Sequence, residues 1–381
     1  MKLLYLSNAL IPSRQANSIH IMKMCSAFCE NGFNVSLICR QGSNIRIPSD
    51  SNKIFKFYGT KNIFKLIIFN SSNSLISQYL FAIKSLLVCI YIRPKIVVSR
   101  FLLAGFLSSL FFNTIIELHQ IPSKKSRIQK YLLTILRYLP KFKGLIVITK
   151  PLKDLFIDEG FLSDSIHILP DGADISDLNP SKISFNPNRT NVNIGYAGHL
   201  YQGRGVELLF EIASLCPWIT VHIAGGNEKD ISHHKNIINI KNIKNIKIYG
   251  FMEPNKISNF YSNMDILAAP YQKKVHLESG NVTTEKWMSP LKVFEYMSSG
   301  KPIICSNIEV LKEVLNDKRN CILCDPENAL EWINSIKLLI DNEDLAISIS
   351  ENAYNDLKTK YSWKNRAKRI SDLIFLKTYK N

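Results

Sequence analysis

Short apolar runs alternate along the chain with segments whose apolar residues recur at helical spacing. The first of these segments, SIHIMKMCSAFCENG, closes on Asn31-Gly32, which is typical of the C-terminus of a helix. The strand-like runs of the first half are KLLYLSN, NVSLIC, KIVVS, TIIELH and GLIVIT. Strands that alternate with helices in this way predict a parallel sheet with helices on both faces.

The alternation stops at residues 167–191 and then resumes. The interruption is rich in Pro, Asp, Asn and Ser and has no periodicity, so it predicts a connection between domains. The strand-like runs that follow it are VNIGYAG, ITVHIAGG, IKIYG, DILAAPY, PIICS and CILCD. We therefore expect an α/β protein with two Rossmann-like domains, over 1–170 and 191–362, joined by a linker at 171–190.

The positive charge of the chain is concentrated in its first half. The 381 residues carry a net charge of +17. Residues 1–150 contain 21 Lys and Arg against three acids, a net of +18 (21 − 3), and the remainder has 27 bases and 28 acids, a net of −1. This asymmetry predicts an anionic partner for the first half: nucleic acid, anionic lipid or a phosphorylated small molecule.

The sequence predicts neither a membrane span nor a metal site. The uncharged apolar run Phe101–Ile116 is shorter than the roughly 20 residues that a span needs. The segment MKLLYLSNALIPSR has too short an apolar region for a signal peptide. Cys321 and Cys324 form a C-x-x-C pair in a predicted strand, with no second Cys/His pair nearby. We expect a protein of the cytoplasm, or of the inner face of the cell membrane, without metal or disulfide framework.

The segment GYAGHLYQGRGVELL (195–209) is the first candidate for ligand binding. A strand is predicted to end at Gly198, and a helix begins after Gly203, Arg204 and Gly205. Glycines let a backbone approach a ligand, a helix N-terminus favours an anion, and Arg204 can hold phosphate oxygens. The spacing is not G-x-G-x-x-G, so it does not indicate NAD. The alternative is an ordinary strand–helix turn with Arg204 on the surface.

The segment SPLKVFEYMSSGKP (289–302) is the second candidate. A helix that begins at Pro290 would offer free N–H groups to an anion, and Lys292 adds positive charge. Glu295, one turn later, is a suitable acceptor for sugar hydroxyls. An anion site one turn away from a hydroxyl site fits a nucleoside diphosphate. The alternative is an ordinary Lys–Glu pair on a helix surface.

Several motifs together resemble glycosyltransferase family 4, the retaining, nucleotide-sugar-dependent enzymes of GT-B fold. The linker ILPDGADISDLNP, the two segments above and MDILAAPY resemble elements of that family and occur in its order. YSWKNRAKRI resembles its C-terminal helix. The resemblance covers nearly the whole chain and implies two Rossmann-like domains facing across a cleft, with residues 363–381 returning to the first domain.

The resemblance implies a donor site in the second domain. Arg204 falls where the family has a Lys or Arg on the donor diphosphate, and Glu295 falls on the second glutamate of its E-x7-E element, which is expected to bind the ribose. The amides at the start of the second helix would face the diphosphate. The residues assigned to donor binding are His199, Gly203, Arg204, Ser289, Pro290, Leu291, Lys292 and Glu295.

The resemblance also implies an acceptor side in the first domain. His119, in ELH, falls where the family places a histidine near the transferred sugar, and it is the predicted catalytic residue. The loop PSRQANSIH, with Asn17, Ser18 and His20, is expected to shape the acceptor side. By themselves, His119 after a strand has a structural alternative and His20 could start a helix on a surface loop.

Two positions depart from the family pattern. The first glutamate of E-x7-E should be residue 287, which is Trp287, and Glu285 could replace it only if the loop shifts. The diphosphate loop carries His199 where the family usually has another Arg. Because of these departures, the sequence does not identify the donor sugar. They also keep open the alternative that the chain is a catalytically inactive relative of these enzymes.

The expected activity is metal-independent sugar transfer with retention of configuration. Arg204, Lys292 and the helix amides would stabilise the charge that develops on the diphosphate leaving group. The acceptor hydroxyl would attack from the leaving-group face, with a phosphate oxygen as base. The nucleotide-diphosphate sugar is a co-substrate, and no separate cofactor or DxD-like metal motif is indicated.

The basic segment KKSRIQKYLLTILRYLPKFKG (124–144) suggests contact with an anionic membrane. It mixes cations with apolar residues at helical spacing, and Lys124, Lys125, Arg127 and Lys130 are its candidate lipid-facing residues. A lipid-linked or glycan acceptor in polysaccharide, lipopolysaccharide or capsule synthesis would fit this location. The alternative is a basic helix packed on the sheet.

Three other functions compete with this interpretation. A sugar-nucleotide epimerase would share the fold and the nucleotide site but need no acceptor. A nucleic-acid-binding protein is suggested by charge alone, but no recognition helix, zinc finger or aromatic–basic RNA motif is present, so we expect no nucleic-acid partner. Trp287 suggests a catalytically inactive subunit.

Overall fold

The chain divides into two compact units, which are described separately. The computed structural model describes residues 1–42, 50–121, 127–176, 191–276 and 283–378. The first unit comprises Met1–Asp171 and Trp363–Asn381, and the second comprises Gly172–Ser362. Both units are parallel α/β sheets, which is the GT-B architecture predicted from the sequence.

The first unit has a seven-stranded parallel sheet in the order β3-β2-β1-β4-β5-β6-β7. Its strands are β1 (Lys2–Ile11), β2 (Asn34–Gln41), β3 (Lys65–Phe69), β4 (Ile96–Ser99), β5 (Thr114–Glu117), β6 (Phe142–Val147) and β7 (Ile166–Ile168). Strands β4 and β5 are buried along their whole length because helices cover both faces of the sheet.

Six helices connect these strands, and a seventh comes from the end of the chain. They are α1 (Ala16–Glu30), α2 (Ser51–Tyr58), α3 (Leu75–Ile92), α4 (Leu102–Ser108), α5 (Arg127–Leu136) and α6 (Lys150–Asp158). The strand order runs one way from β1 to β3 and the other way from β4 to β7. Right-handed crossovers therefore place α1 and α2 on one face, and α3 to α6 on the other.

Helix α13 (Trp363–Thr378) completes the first unit. It packs against α1, and Trp363, Arg366, Ala367, Ile370 and Ile374 are buried. The Arg366 guanidinium donates to the carbonyl oxygens of Leu169 and Pro170, at 3.1 and 2.8 Å. The predicted return of the C-terminal helix to the first domain is thus confirmed.

The second unit has a six-stranded parallel sheet in the order β10-β9-β8-β11-β12-β13. Its strands are β8 (Val192–Ala197), β9 (Ile219–Ala224), β10 (Ile246–Gly250), β11 (Ile266–Ala269), β12 (Ile303–Ser306) and β13 (Ile322–Cys324). Its helices are α7 (Val206–Leu215), α8 (Glu228–Ile240), α9 (Ile257–Ser262), α10 (Leu291–Ser298), α11 (Ala329–Asp341) and α12 (Glu343–Asp356). All six strand-like runs predicted in this half lie at these strands.

The elements of the first unit that were not predicted include two strands and a long helix. Strand β3 lies in a lysine-rich segment, and β7 is three residues long and lies where the predicted alternation stops, just before the linker expected at 171–190. Residues 177–190 of that predicted linker lie outside the described residues. Helix α3 was missed because apolar residues lie on both its buried and its exposed face, so that its sequence shows no amphipathic period. Among the described residues it is the one helix long and apolar enough to cross a membrane, with a mean hydropathy of 1.8.

Candidate functional site

Lys292 joins three elements at the carboxyl end of the second sheet. It lies in the first turn of α10, and its Nζ is 3.6 Å from the centroid of the Tyr196 ring at the end of β8. The Tyr271 ring, just after β11, lies 5.0 Å from the same nitrogen. This is the edge at which parallel sheets bind ligands, because the loops that follow the strands meet there.

The Lys292 ammonium is buried without a counter-ion. Only 8% of the residue is exposed, and Nζ has neither a hydrogen bond nor an ion pair to a described residue. Burial and then the nearby Arg204 guanidinium hold the pKa of Lys292 well below its ordinary value. Contact with two aromatic faces offsets only part of the cost of removing a cation from water.

Arg204 adds a second cation to the same place. Its guanidinium carbon lies 5.6 Å from the Tyr271 centroid, and its Nε is buried without a hydrogen bond to a described residue. His199 stacks on Tyr201 at 4.7 Å. Burial, Arg204 and Lys292 lower the pKa of His199 to about 4, so its ring is neutral at pH 7. Two cations with vacant N–H groups attract a multiply charged anion.

The glycines of this region make room for its cations and for a neighbouring segment. Gly198 has φ +145°, and a Cβ there would lie 2.9 Å from Lys292 Nζ. Gly203 and Gly205 also have positive φ, and a Cβ on them would lie 2.0 Å from the Lys274 carbonyl oxygen and 1.5 Å from that of Pro270. Their close backbone approach is therefore to the chain that follows β11.

Glu295 lies on α10 one turn after Lys292. Its Oε2 accepts a hydrogen bond of 2.7 Å from the Tyr261 hydroxyl. Burial, and then the charge of Glu295, raise the pKa of Tyr261 well above its ordinary value. Tyr261 therefore remains a hydrogen-bond donor to this carboxylate.

The start of α10 differs slightly from the prediction. The helix begins at Leu291, and Pro290 is its N-cap with extended backbone. Ser289 precedes it. The amides of the first turn have no partner inside a helix, so those of Leu291 and Lys292 are available next to the two cations.

Glu285 does not replace the missing glutamate at residue 287. Its two carboxylate oxygens accept hydrogen bonds from the amide of Val275 and the hydroxyl of Thr283, at 3.2 and 3.1 Å. These bonds tie the two ends of the segment that contains residues 277–282, which lie outside the described residues. Glu285 therefore holds a loop together, and Trp287 stands at the position of the family's first glutamate.

A second polar cluster is buried in the first unit around Glu117. The carboxylate accepts from Arg366 Nη2 at 2.9 Å and from His119 Nε2 at 2.6 Å, and it is fully shielded from solvent. Burial alone would raise the pKa of Glu117, but Arg366, His20 and His119 hold it well below the ordinary value. Glu117 is therefore ionised.

His20 lies between two carboxylates. Its Nδ1 is 2.8 Å from Asp171 Oδ1, and its Nε2 is 3.1 Å from Glu117 Oε1. Only 1% of the residue is exposed, which excludes the alternative that His20 starts a helix on a surface loop. Asn17, Ser18 and His20 instead lie in the first turns of α1, and the Ser18 hydroxyl donates to the carbonyl oxygens of Ser13 and Gln15.

His119 is the member of the cluster that reaches solvent. About a fifth of its side chain, 21%, is exposed. Because Glu117 is ionised and accepts from Nε2, the ring carries its proton there and presents Nδ1 as an acceptor. Burial and then Arg100 lower the pKa of His119 to about 4, so this tautomer is present at pH 7.

His20, Glu117, His119 and Asp171 are also residue types that bind metals, and their ligand atoms lie within 4.8 Å of one another. The Arg366 guanidinium supplies the positive charge next to Glu117, and the carboxylate Oε1 accepts hydrogen bonds of 2.6 and 2.9 Å from His119 and Arg366. These contacts fit an ion-pair network better than a metal-ligand set.

The lipid-facing candidates are described only in part. Lys124 and Lys125 lie outside the described residues. Arg127 and Lys130 are exposed on α5, and Lys130 Nζ is 4.0 Å from Glu159.

The sequence analysis missed the residues that set the properties of both sites. Tyr196 and Tyr271 contact the Lys292 ammonium, and Tyr261 binds Glu295. Tyrosines in apolar runs are ordinary core residues, so the sequence gave no signal for them. Glu117 did give one: it is the sole acid between Lys53 and Lys153, and it lies in an apolar strand. Arg366 and Asp171 could not be paired with it from the sequence, because they are distant along the chain.

Comparison with known proteins identifies a family for the second half of the chain. Residues 181–356 match the family described as glycosyl transferases group 1. An uncharacterized glycosyltransferase of Haemophilus influenzae is 25% identical over 181 residues. The match spans 46% of this chain and 46% of that protein, which is about half the length of each.

Solved structures match over nearly the whole chain. A glycosyltransferase from Rickettsia africae is 16% identical with a TM-score of 0.74 and covers 98% of this chain and 97% of its own. HepE from Anabaena, solved in complex with UDP and glucose, is 17% identical with a TM-score of 0.68 and covers 98% of each chain. At these identities the likeness shows the GT-B fold.

Lys292→Met should stabilise the ligand-free protein. The substitution keeps an unbranched apolar chain and removes the buried, unpaired ammonium, for a gain of about 1–3 kcal/mol. Because the pKa of Lys292 is lowered in the fold, the unfolded state binds more protons at pH values between the lowered pKa and the ordinary lysine pKa. The free energy of unfolding of the wild type therefore rises with pH over this range. The difference in the free energy of unfolding between variant and wild type should narrow as pH rises, as measured by calorimetric unfolding. A destabilised variant would contradict the absence of a counter-ion.

Arg366→Ala should destabilise the first unit. It leaves the buried Glu117 carboxylate without its guanidinium, at a cost of about 3–5 kcal/mol. Urea unfolding would measure this, with the exposed Lys368→Ala on the same helix as the control. Since the pKa of Glu117 is lowered in the fold, the wild-type contribution is present above the ordinary glutamate pKa and is lost as pH falls through the lowered value. Equal effects of the two substitutions would show that Arg366 does not stabilise Glu117.

Proposed function

Because residues 181–356 match the glycosyl transferases group 1 family, we propose that the chain moves a sugar from a nucleotide-diphosphate sugar to a glycan or lipid-linked acceptor. The observation that carries this proposal is the pair of cations in the second unit, Lys292 and Arg204. Lys292 is buried and Arg204 is half-buried against tyrosines, and neither has a hydrogen-bonded carboxylate among the described residues.

A diphosphate supplies the charge that this site lacks. Arg204 offers an unpaired Nε–H, Lys292 offers an ammonium, and the first-turn amides of α10 add a partial positive charge. Neutralising two cations in a low-dielectric setting favours binding strongly compared with a surface site. The same groups stabilise the negative charge that develops when the bond between sugar and phosphate breaks.

Glu295 is proposed to hold the nucleotide ribose. The Tyr261 hydroxyl fixes one of its oxygens, and the ionised carboxylate is an acceptor of the kind that ribose hydroxyls bind. On α10 the carboxylate lies one helical turn beyond Lys292. That spacing suits a ligand with a diphosphate followed by a diol.

His119 is proposed as the first unit's contact with the transferred sugar. Its Nε2–H is engaged by Glu117, so Nδ1 can accept a hydrogen bond from a sugar hydroxyl. In the proposed transfer the acceptor oxygen bonds to the anomeric carbon as the bond to the diphosphate breaks. The hydroxyl proton passes to a diphosphate oxygen, and attack from the same face retains the configuration. We propose that the reaction is metal-independent, since Arg204 and Lys292 provide the positive charge.

The charge of the first half supports an acceptor at an anionic surface. Its net of +18 over residues 1–150 would hold the protein against the inner face of a cell membrane. We therefore propose a lipid-linked or glycan acceptor of cell-envelope polysaccharide synthesis, as in lipopolysaccharide or capsule.

Nucleoside diphosphates should stabilise the second unit, and Glu295→Ala should weaken the effect. At a hundred times the dissociation constant a ligand adds about 2.7 kcal/mol. Loss of the Glu295 hydrogen bond should reduce affinity about 10- to 100-fold. A thermal-shift panel of UDP, GDP, ADP, CDP and dTDP would measure both, with Glu309→Ala, exposed in the same unit, as the matched control. A lack of response to every diphosphate would contradict the proposed donor site.

The full chain should transfer a sugar with retention, and His119→Ala should impair transfer without impairing nucleotide binding. Misplacing the sugar is expected to lower the transfer rate about a hundredfold. NMR of the product anomer with a panel of lipid-linked and soluble acceptors would test the first point, and the thermal shift with the nucleotide would test the second. A product formed without acceptor would favour an epimerase. Nucleotide binding with no turnover would favour the inactive subunit suggested by Trp287.

A further inference from the structure

The solvent-facing side of α3 is apolar along its whole length. Leu75, Ile76, Tyr79, Leu80, Ile83, Leu87, Ile90 and Tyr91 are 39–88% exposed. The opposite side packs into the first unit through Phe81, Ala82, Ser85 and Cys89. A stripe of large exposed side chains this long is unusual for a protein surface in water and marks an interaction site.

The apolar surface continues onto the two neighbouring helices. Helix α4 contacts both α3 and α5, and all three lie on the same face of the sheet. Leu110 and Phe111 after α4, and Ile128, Tyr131 and Tyr138 on or after α5, are also exposed. We call the exposed apolar residues of α3, α4 and α5 the α3 face. It includes Ile128, Tyr131 and Tyr138 from the basic segment that the sequence analysis singled out, but its larger part is α3.

The charges around the α3 face have one sign. Helices α3, α4 and α5 contain no Asp or Glu, and Glu117 is the sole acid between Lys53 and Lys153 and is buried. Lys84 is exposed within α3, Arg93 and Lys95 are exposed at its C-terminal end, and Arg127 and Lys130 are exposed on α5. Apolar side chains bordered by cations match the boundary between anionic headgroups and acyl chains.

A second copy of the chain is a poorer occupant. Pairing two α3 faces would bring together two halves that each carry a net charge of +18, and α3, α4 and α5 themselves contain no acids to alternate with the cations. A membrane span is also excluded by packing, because the buried side of α3 covers the sheet. The helix would therefore lie in the plane of the interface, with its exposed side toward the lipid.

We propose that the α3 face inserts into an anionic lipid bilayer and anchors the first unit there. The inference rests on the membrane contact included in the proposed function, and it moves the main contact from the cations of 124–144 to the apolar side chains of α3. The cations attract the protein to the surface, and the apolar stripe provides the binding energy.

Vesicle flotation of the full chain tests the proposal. The test variant is Ile76→Gln/Ile83→Gln/Leu87→Gln, and the matched control is Leu215→Gln/Ile240→Gln/Leu330→Gln, which changes equally exposed residues of the second unit. The vesicles contain phosphatidylcholine alone or with phosphatidylglycerol. We expect the wild type and the control to bind the anionic vesicles, and the test variant to bind at least about tenfold more weakly.

Several results would overturn the proposal. Unchanged vesicle binding of the test variant would do so, and so would an equal loss of binding in the control. A wild type that is a dimer, fails to bind vesicles and becomes a monomer on introduction of the three test substitutions would also overturn it. The occupant of the α3 face would then be a second copy of the chain. Equal binding to neutral and anionic vesicles would overturn the assignment to an anionic surface. Circular dichroism and the unfolding midpoint verify that the test variant is folded.

A gain-of-signal variant makes the test independent of any loss of folding. Tyr91→Trp places an indole at the most exposed position of the α3 face, and Leu330→Trp is its control. Brominated anionic lipid should quench the added emission of the first and not that of the second. No added quenching would overturn insertion. Neither readout requires nucleotide or acceptor, so a failed donor site and a failed α3 face would be told apart.

Discussion

A charge buried away from water has to be neutralised, and the two units meet this constraint in opposite ways. In the first unit Glu117 is enclosed by Arg366, His20 and His119, so the protein itself satisfies the carboxylate. In the second unit the Lys292 ammonium packs on the Tyr196 and Tyr271 rings and has no ion pair to a described residue. The Glu117 cluster is complete without a ligand, whereas the Lys292 site is left with an excess of positive charge.

The difference follows from where each charge lies in its sheet. Glu117 ends β5, where α1 and α13 close over the strand and bring His20 and Arg366 to it. Lys292 begins α10, where the loops after β8 and β11 leave glycines and ring faces around it. Gly198 is required because a side chain there would occupy the space of the ammonium. Both the backbone and the side chains of the second unit therefore make room for the Lys292 ammonium, which has no ion pair to a described residue.

The local pattern of apolar residues predicted most strands of both units. The side-chain contacts between distant residues became visible only in the folded structure. Apolar runs located eleven of the thirteen strands, since a parallel strand buried on both faces is recognisable from its own residues. Lys292, Arg204 and Glu295 were also recognisable, because each lies beside a strand end or helix start in a motif. Tyr196 and Tyr271 were not, because their role comes only from facing Lys292. Helix α3 was missed for a third reason: its buried face and its exposed face are both apolar, so the sequence shows no amphipathic period.

The first unit is discontinuous along the chain, and this has a consequence for its synthesis. Glu117 emerges from the ribosome long before Arg366, with the whole second unit translated in between. During that interval the nascent first unit holds a carboxylate that lacks its guanidinium, and α1 lacks the helix that covers it. The sheet can assemble early, but its completion waits for translation to pass residue 366. The early part of the chain is thus exposed to chaperones for longer than its own length would require.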